Sequence, residues 1–155
     1  MSRLADFLPY QLSIASNAIS SRIAEQYRAR FDIKVPEWRV MAILGDRGEL
    51  TQRELVGATL MDKVAVNRAC KVLEDRGLVT RRPNEHDGRS HHLELSESGR
   101  EMYSQIMPIA KAMEGELFSC FDEEEIVRLR DFLARIRKSV GDFDADTVLD
   151  EFGPE

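Results

Sequence analysis

Residues 78–95 constrain the fold most, because there the helical spacing of apolar residues gives way to a β pattern. "LVTRR" and "HHLEL" have the composition of strands, and Leu93 and Leu95 alternate with polar neighbours. Turn-forming residues lie between the two stretches, namely Pro83, Asn84, Asp87 and Gly88. This pattern predicts a two-stranded hairpin with a long tip. The other periodic segments place apolar residues at steps of three or four, so the predicted fold class is mainly α with one small β-hairpin.

Two short predicted helices precede the hairpin. Thr51 is followed three residues later by Glu54, a capping-box pattern that predicts a helix start. The next segment carries Val66, Cys70 and Leu73 on one face and predicts a second helix. Two short helices joined by a tight turn fit a helix-turn-helix and an ordinary helical hairpin equally well. A β-hairpin directly after a helix-turn-helix is a wing, so the order of the elements favours DNA binding.

Longer helices are predicted on both sides of this core. Apolar residues over 4–30 predict one long amphipathic helix, and "KVPEWRVMAILGDRG" predicts another of about ten residues. After the hairpin, Ser96 caps a long helix in which Pro108 predicts a kink. A capping-box pattern at Asp122 starts a final helix. The acidic segment 141–155 is expected to be a mobile tail unless its apolar residues dock it.

Charge is distributed unevenly along the chain. The formal net charge of the 155 residues is -6, yet positions 63–92 hold seven lysines and arginines against four acids. Attraction to phosphate is screened beyond about 8–10 Å and therefore acts locally. A basic island in an acidic chain is consequently compatible with a small nucleic-acid reader.

Several other classes of protein are disfavoured. No apolar run approaches the roughly 18 residues of a membrane span, and the start of the chain lacks a signal-peptide pattern. A cytoplasmic protein with no membrane partner is therefore expected. Cys70 and Cys120 lack the spacing of a disulfide framework or a zinc ribbon. No nucleophile and base set, glycine-rich phosphate loop or HExxH motif indicates an enzyme.

Three histidines, His86, His91 and His92, cluster in the predicted hairpin and invite comparison with a metal site. His91 and His92 are adjacent in a strand, so their side chains point to opposite faces and are poorly placed to share one ion. Neither a metal nor a cofactor is therefore predicted.

Residues 50–100 resemble the winged-helix core of the multiple antibiotic resistance regulator (MarR) family of bacterial repressors. The motifs "TQREL", "MDKVAVNRACKVLEDRGLVTR" and "DGRSHHLELSESG" carry the resemblance, in the family's order and spacing. The flanking helices are similar to the family's dimerisation region, so the resemblance extends to about residue 140. It implies dimerisation helices at 1–34 and 98–140, a winged helix-turn-helix domain at 35–97, and an acidic tail at 141–155.

The resemblance also implies a function and its partners. It implies a homodimer that binds a palindromic operator in double-stranded DNA and acts as a repressor. A small effector, often aromatic or phenolic, releases the DNA in such proteins. The alternatives are a metal- or redox-responsive regulator of the same fold and a winged-helix module that binds proteins.

The predicted DNA contacts lie in both helices of the helix-turn-helix and in the wing. Asn67 is suited to adenine, and Arg68 to guanine or phosphate. Many family members have Ser and Thr where this chain has Val64 and Ala65, so apolar contacts are expected there. Arg89 matches the wing-tip arginine that enters the minor groove. The helical set is Thr51, Gln52, Lys63, Val64, Ala65, Asn67, Arg68 and Lys71.

The rest of the wing is expected to support that arginine. Asp87 matches the acid that holds the loop, and Gly88 is expected to adopt a backbone conformation that a larger residue resists. Arg81 and Arg82 are expected to contact phosphates. The predicted wing set is Arg81, Arg82, Asp87, Gly88, Arg89 and Ser90.

An effector site is predicted where small polar residues of the first helix meet the start of the second. The polar face is either exposed to solvent or lines a cavity, and Trp38 either stacks on an aromatic ligand or belongs to the core. Arg22 or Arg39 would pair with a carboxylate or with the phosphate of a CoA thioester. The predicted residues are Ser16, Asn17, Ser20, Arg22, Trp38 and Arg39.

Overall fold

The computed structural model describes residues 3–143, which form helices around one small sheet. After a 3-10 turn at Leu4–Asp6, the helices are α1 (Leu8–Phe31), α2 (Val35–Arg47), α3 (Gln52–Thr59), α4 (Lys63–Asp75), α5 (Glu97–Leu117) and α6 (Glu123–Asp142). The strands are β1 (Leu50–Thr51), β2 (Val79–Asn84) and β3 (Asp87–Leu95). The prediction of a mainly α fold with a hairpin wing is confirmed. None of the described helices is long and apolar enough to cross a lipid bilayer.

The sheet has three antiparallel strands in the order β1-β3-β2, so the sequence prediction of two strands missed β1. Leu50 of β1 pairs with Leu93, and Val79 of β2 pairs with Leu95. A strand of two residues is too short to show the alternation that identifies strands in a sequence. The prediction of a long tip was also wrong, since β2 extends to Asn84 and β3 already begins at Asp87.

Side-chain caps fix the starts of α3, α4 and α6. Thr51 Oγ1 accepts the Glu54 backbone N–H at 3.2 Å, and the Glu54 carboxylate accepts the Thr51 N–H at 3.0 Å. The Asp62 carboxylate accepts the Ala65 N–H at 2.8 Å and begins α4. Asp122 and Glu125 form a second reciprocal box at the start of α6. Both predicted capping boxes are confirmed.

The start of α1 differs from the prediction of one helix over residues 4–30. The chain makes a separate 3-10 turn, and α1 begins only at Leu8, with Pro9 in its first turn. Proline is favoured in the first turn of a helix, where its missing N–H is not needed. Apolar spacing continues across the break, so periodicity alone could not locate it.

The apolar core lies inside the unit that contains the sheet. Val66, Cys70 and Leu73 of α4 are fully buried, and α4 packs against α2 and β2. At the base of the wing, the start of α5 packs closely against Leu78. A Cβ added to Gly99 would lie only 2.0 Å from the Leu78 carbonyl oxygen. This packing fixes the start of α5 against the residue that precedes β2.

The chain divides into two compact units, one extending to Met113 and one beginning at Glu114. The first contains α1 to α4, the sheet and most of α5, and the second contains the end of α5 and α6. The dimerisation and DNA-binding boundaries stated above stay a prediction. Of the predicted acidic tail, α6 includes residues 141 and 142, and residues 144–155 lie outside the described residues.

Candidate nucleic-acid interface

α4 exposes one cationic stripe and buries the opposite face. Val66, Cys70 and Leu73 point into the core, as predicted. The exposed side chains of the first turns are those of Lys63, Val64, Asn67, Arg68 and Lys71, while Ala65 is half-buried. Because residues three and four apart share one face of a helix, these side chains form a single stripe. Cationic and amide side chains on one exposed face of a helix can contact base edges and phosphates in a major groove.

Lys71 differs from the other cations of the stripe. Its Nζ lies 2.9 Å from Asp75 Oδ1, and both side chains are exposed. The hydrogen bond to Asp75 raises the pKa of Lys71. Within residues 3–143, Lys63 and Arg68 form no ion pair, so their charges remain available to a ligand.

Hydrogen bonds shape the tip of the wing. Asp87 Oδ1 accepts the backbone N–H of Arg89 at 3.0 Å, and Asn84 Oδ1 accepts that of His86 at 3.1 Å. The Asn84 amide also donates to Ser90 Oγ at 2.9 Å. The Arg89 side chain is exposed and has no ion-pair partner in the described part of the chain. The tip is therefore braced by short polar side chains and presents a free guanidinium.

The expected role of Gly88 is wrong. Its φ lies outside the left-handed region, and an added Cβ would meet no atom within 4 Å. The tip is shaped by side-chain hydrogen bonds to the backbone, of the kind that Asn and Asp make in turns, and needs no glycine conformation.

At the base of the wing, Arg81 is bound by two other elements. Its Nε and Nη2 donate to the two oxygens of Glu74 at 2.7 and 3.1 Å, and its Nη1 donates to Gln52 Oε1 at 3.1 Å. The hydrogen bond to Glu74 raises the pKa of Arg81. Sequence reasoning missed Glu74, because a pair seven residues apart across a turn has no periodic signature.

Arg82 is also paired, with an acid that precedes β1. Its Nη2 donates to both oxygens of Glu49, at 2.6 Å for Oε2. His92 Nδ1 lies 3.0 Å from the same carboxylate. The Arg82 hydrogen bond is the main cause that lowers the pKa of Glu49. Both wing arginines that were expected to meet phosphate thus have carboxylate partners in the free chain.

An open cleft of about 590 Å³ runs beside the cationic stripe. Lys34, Pro36 and Glu37 at the start of α2 form one wall, and α4 forms the other. The α4 wall contains Ala65, Asn67, Arg68, Ala69, Lys71 and Val72. The structure therefore brings together the residues predicted to read bases, and adds Lys34, which the sequence interpretation did not include.

The predicted effector residues lie on α1 and α2. Ser16, Asn17, Arg22 and Arg39 are exposed and Ser20 is half-buried. Arg22 is 3.5 Å from Glu25. The Trp38 ring is half-buried and lies with its centroid 5.1 Å from that of Tyr27 and 6.1 Å from that of Tyr103.

The histidines and cysteines occupy separate environments. His91 Nδ1 is buried without a hydrogen-bond partner among the described residues, and His86 is exposed. No group of three metal-ligating side chains occurs within residues 3–143. Burial raises the pKa of the Cys70 thiol to about 11, which disfavours the reactive thiolate.

Two helices joined by a short turn, an exposed cationic second helix and a following β-hairpin define a winged helix-turn-helix, the class of DNA-binding transcriptional regulators. Residues 31–90 match the family model described as "MarR family". The resemblance to the MarR family that the sequence motifs carry is thus confirmed over these residues.

Similar proteins agree with this assignment. The transcriptional repressor IacR of Pseudomonas putida is 24% identical over 131 residues, which cover 84% of this chain and 78% of IacR. A MarR family transcriptional regulator from Silicibacter pomeroyi DSS is 27% identical, with a TM-score of 0.78 over 90% of this chain and 93% of that one. These relatives are regulators and not enzymes, so the expectation of a non-enzymatic protein is confirmed.

A third similar protein is Bordetella bronchiseptica BpsR, whose structure is described as a mechanism for regulation of DNA binding by 6-hydroxynicotinic acid. It is 19% identical, with a TM-score of 0.78 over 89% of this chain and 98% of BpsR. At this identity the comparison establishes a shared fold.

Proposed function

We propose that this regulator is a homodimeric repressor that binds a palindromic operator and releases it when a small aromatic or phenolic ligand, or its CoA thioester, binds. One observation carries the proposal. Within the compact unit that extends to Met113, α4 and the wing tip both present unpaired cations, on Lys63, Arg68 and Arg89. A winged helix-turn-helix uses these two elements to contact the major groove and the adjacent minor groove.

The stripe on α4 is assigned to base reading. Asn67 has the donor and acceptor pair that matches adenine, and Arg68 matches guanine or a phosphate. Val64 is 58% exposed, which suits contact with a thymine methyl group. Arg89 enters the minor groove, where a narrow A·T tract concentrates negative potential.

Two sets of exposed apolar side chains support a homodimer. The N-terminal segment exposes Leu4, Phe7, Leu8, Leu12 and Ile14. Along α6, a hollow of about 590 Å³ is lined by Phe132, Arg135, Ile136, Ser139, Val140 and Phe143. Large exposed apolar patches are unusual on monomers and mark interfaces. In a two-fold dimer, the two α4 helices would lie about 34 Å apart, one turn of DNA.

Repression and release are proposed from the relatives together with the aromatic residues near α2. IacR is named a repressor, and BpsR is described as regulated by 6-hydroxynicotinic acid. Trp38 is half-buried beside two tyrosines, and Arg39 is exposed on the next position. An effector that lowers operator affinity ~100-fold needs about 2.7 kcal/mol of preference for the non-binding state.

Fluorescence anisotropy with a duplex selected from random sequence by the wild-type protein tests the DNA interface. Arg89→Ala is expected to weaken binding to the selected duplex, because the minor-groove contact of its guanidinium is lost. Asn67→Ala is expected to relax preference at one base position by about 1–3 kcal/mol. Arg137→Ala on α6 removes one exposed arginine and should change neither quantity. Unchanged binding by the first two variants would refute the interface.

A further inference from the structure

One side chain at the base of the wing joins three elements of the DNA-binding unit. Arg81 lies on β2, Glu74 on the last turn of α4, and Gln52 on the first turn of α3. Three of the five guanidinium N–H groups are used, two on Glu74 and one on Gln52. We refer to these three side chains as the base clamp.

The base clamp differs from the neighbouring pair of Arg82 and Glu49 in its burial. The Arg81 and Glu74 side chains are 29% and 23% exposed, whereas those of Arg82 and Glu49 are 55% and 26% exposed, so the difference lies in the arginine. Arg81 presents its planar fork to the two carboxylate oxygens, which is the strongest geometry for such a pair. A DNA phosphate would have to displace Glu74 from a half-buried site in order to take its place.

The position of the clamp suggests what it controls. Between α4 and β2 the chain reverses through Gly77, whose φ is 69°. Glu74 precedes this reversal and Arg81 follows it, so their ion pair closes the loop that connects α4 to the wing. The clamp therefore joins α4, which carries Asn67, to β2, which leads to the wing tip and Arg89.

We propose that Arg81 is a positioning residue, which fixes the angle between α4 and the wing, and that it is not a phosphate ligand. The proposal rests on DNA binding by α4 and the wing. Specific binding requires that base contacts by α4 and minor-groove contact by Arg89 occur together, whereas non-specific binding needs only charge. Loss of the clamp therefore lowers discrimination between sequences more than it lowers general affinity for DNA.

Replacement of Glu74 by Gln separates the two roles of Arg81, because each role predicts a different change in DNA binding. If Arg81 served phosphate, Glu74→Gln would release it, tighten binding to every duplex and steepen the salt dependence by up to about 0.9. If Arg81 positions the wing, Glu74→Gln lowers discrimination roughly tenfold, within the range of couplings between contacting residues, and leaves the salt dependence unchanged. Glu101→Gln on α5 is the control, since it removes one acid from an exposed residue that forms no ion pair in the described part of the chain.

The probes are the duplex selected by the wild-type protein and the same duplex with one base pair changed in each half-site. Arg81→Lys is expected to lose discrimination as Glu74→Gln does, because an ammonium keeps the charge but not the fork. The double variant Glu74→Gln, Arg81→Lys should discriminate between the two duplexes no less well than either single variant. All measurements are made well below the melting temperature of each variant.

Gln52→Ala is the mildest variant, because it removes one hydrogen bond and leaves the ion pair in place. It should lower discrimination without changing the salt dependence. Full discrimination in Arg81→Lys, or tighter binding by Glu74→Gln with a steeper salt dependence, would overturn the proposal. A wild-type protein that selects no duplex would instead contradict the proposed DNA interface itself.

Discussion

The Arg82 guanidinium and the Glu49 carboxylate form an ion pair across the three-stranded sheet. Glu49 precedes β1, Arg82 lies on β2, and β3 between them contributes His92, whose Nδ1 is 3.0 Å from the same carboxylate. Glu49 thus pairs in the free chain with an arginine that was predicted to contact a phosphate. An internal carboxylate of this kind reduces non-specific attraction to DNA.

Glu49→Gln is expected to tighten binding to any duplex, because it removes the internal competitor of Arg82. Anisotropy titrations at several salt concentrations should give a salt dependence steeper by up to about 0.9. Hydrogen bonding lowers the pKa of Glu49 below 4.5, so the ion pair is complete above that pH and is lost as the pH falls through the lowered value. Titration of Glu49 should therefore cause no difference between the effects of the substitution on DNA binding at pH 6 and at pH 8.

Glu101→Gln on α5 is the control for this prediction, since it removes the same charge from an exposed residue that forms no ion pair in the described structure. Weaker binding by Glu49→Gln, or an equal change in both variants, would show that Glu49 does not compete with phosphate.

The order of the elements was predictable from local patterns. Thr51 with Glu54, and Asp122 with Glu125, mark helix starts because capping depends on residues three apart. The two-residue strand β1 was not predictable, since its pairing of Leu50 with Leu93 joins positions far apart in the sequence. The start of α1 was missed for a related reason, because apolar spacing continues through the 3-10 turn.

The candidate site was predictable in residue type but not in pairing. The inward face of α4 followed from spacing, and Arg89 followed from the family motif. The partners of Arg81 and Arg82 depend on how β2 lies beside α4 and the residue before β1, which only the tertiary structure defines. The role expected of Gly88 failed because residue type alone does not reveal a backbone angle.

Gly99→Ala should destabilise the fold, because its Cβ would lie 2.0 Å from the Leu78 carbonyl oxygen at the junction of the wing and α5. Overpacking of this kind costs about 1–3 kcal/mol. Thermal unfolding should show a melting temperature lower by roughly 2–4 °C per kcal/mol for a chain of this size. Gly115→Ala in the same helix has no atom within 4 Å of the new Cβ and should leave stability equal or higher. Equal melting temperatures for the two variants would contradict this close packing.

Cys70 should be unreactive in the native protein. It is fully buried, and burial raises its pKa to about 11 from 9.0. In Cys120→Ser, where Cys70 is the one remaining thiol, a thiol reagent at pH 8 should react only after denaturant is added. Rapid reaction without denaturant would show that α4 opens or that the thiol is accessible.

The same burial predicts a pH dependence of stability. A raised folded-state pKa means that the contribution of the neutral thiol is complete below about 9 and is lost as the pH rises to about 11. The free energy of unfolding, measured with denaturant, should fall over this interval more steeply in the wild type than in Cys70→Ala. The same pH dependence of the free energy of unfolding in the two proteins would contradict the raised pKa of Cys70.

Ile136→Glu should weaken the proposed homodimer, and Val127→Glu provides a matched control. Both residues are exposed on α6, at 41% and 65%, but nine positions at 100° each place them on opposite faces. Ile136 shares its face with Phe132, Val140 and Phe143, the apolar residues that line the hollow. A charge buried at a subunit interface without a partner is strongly unfavourable, whereas one on the opposite face stays in water. Sedimentation velocity over a range of concentrations should therefore show monomer for Ile136→Glu and unchanged dimer for Val127→Glu, and the reverse result would place the interface on the other face of α6.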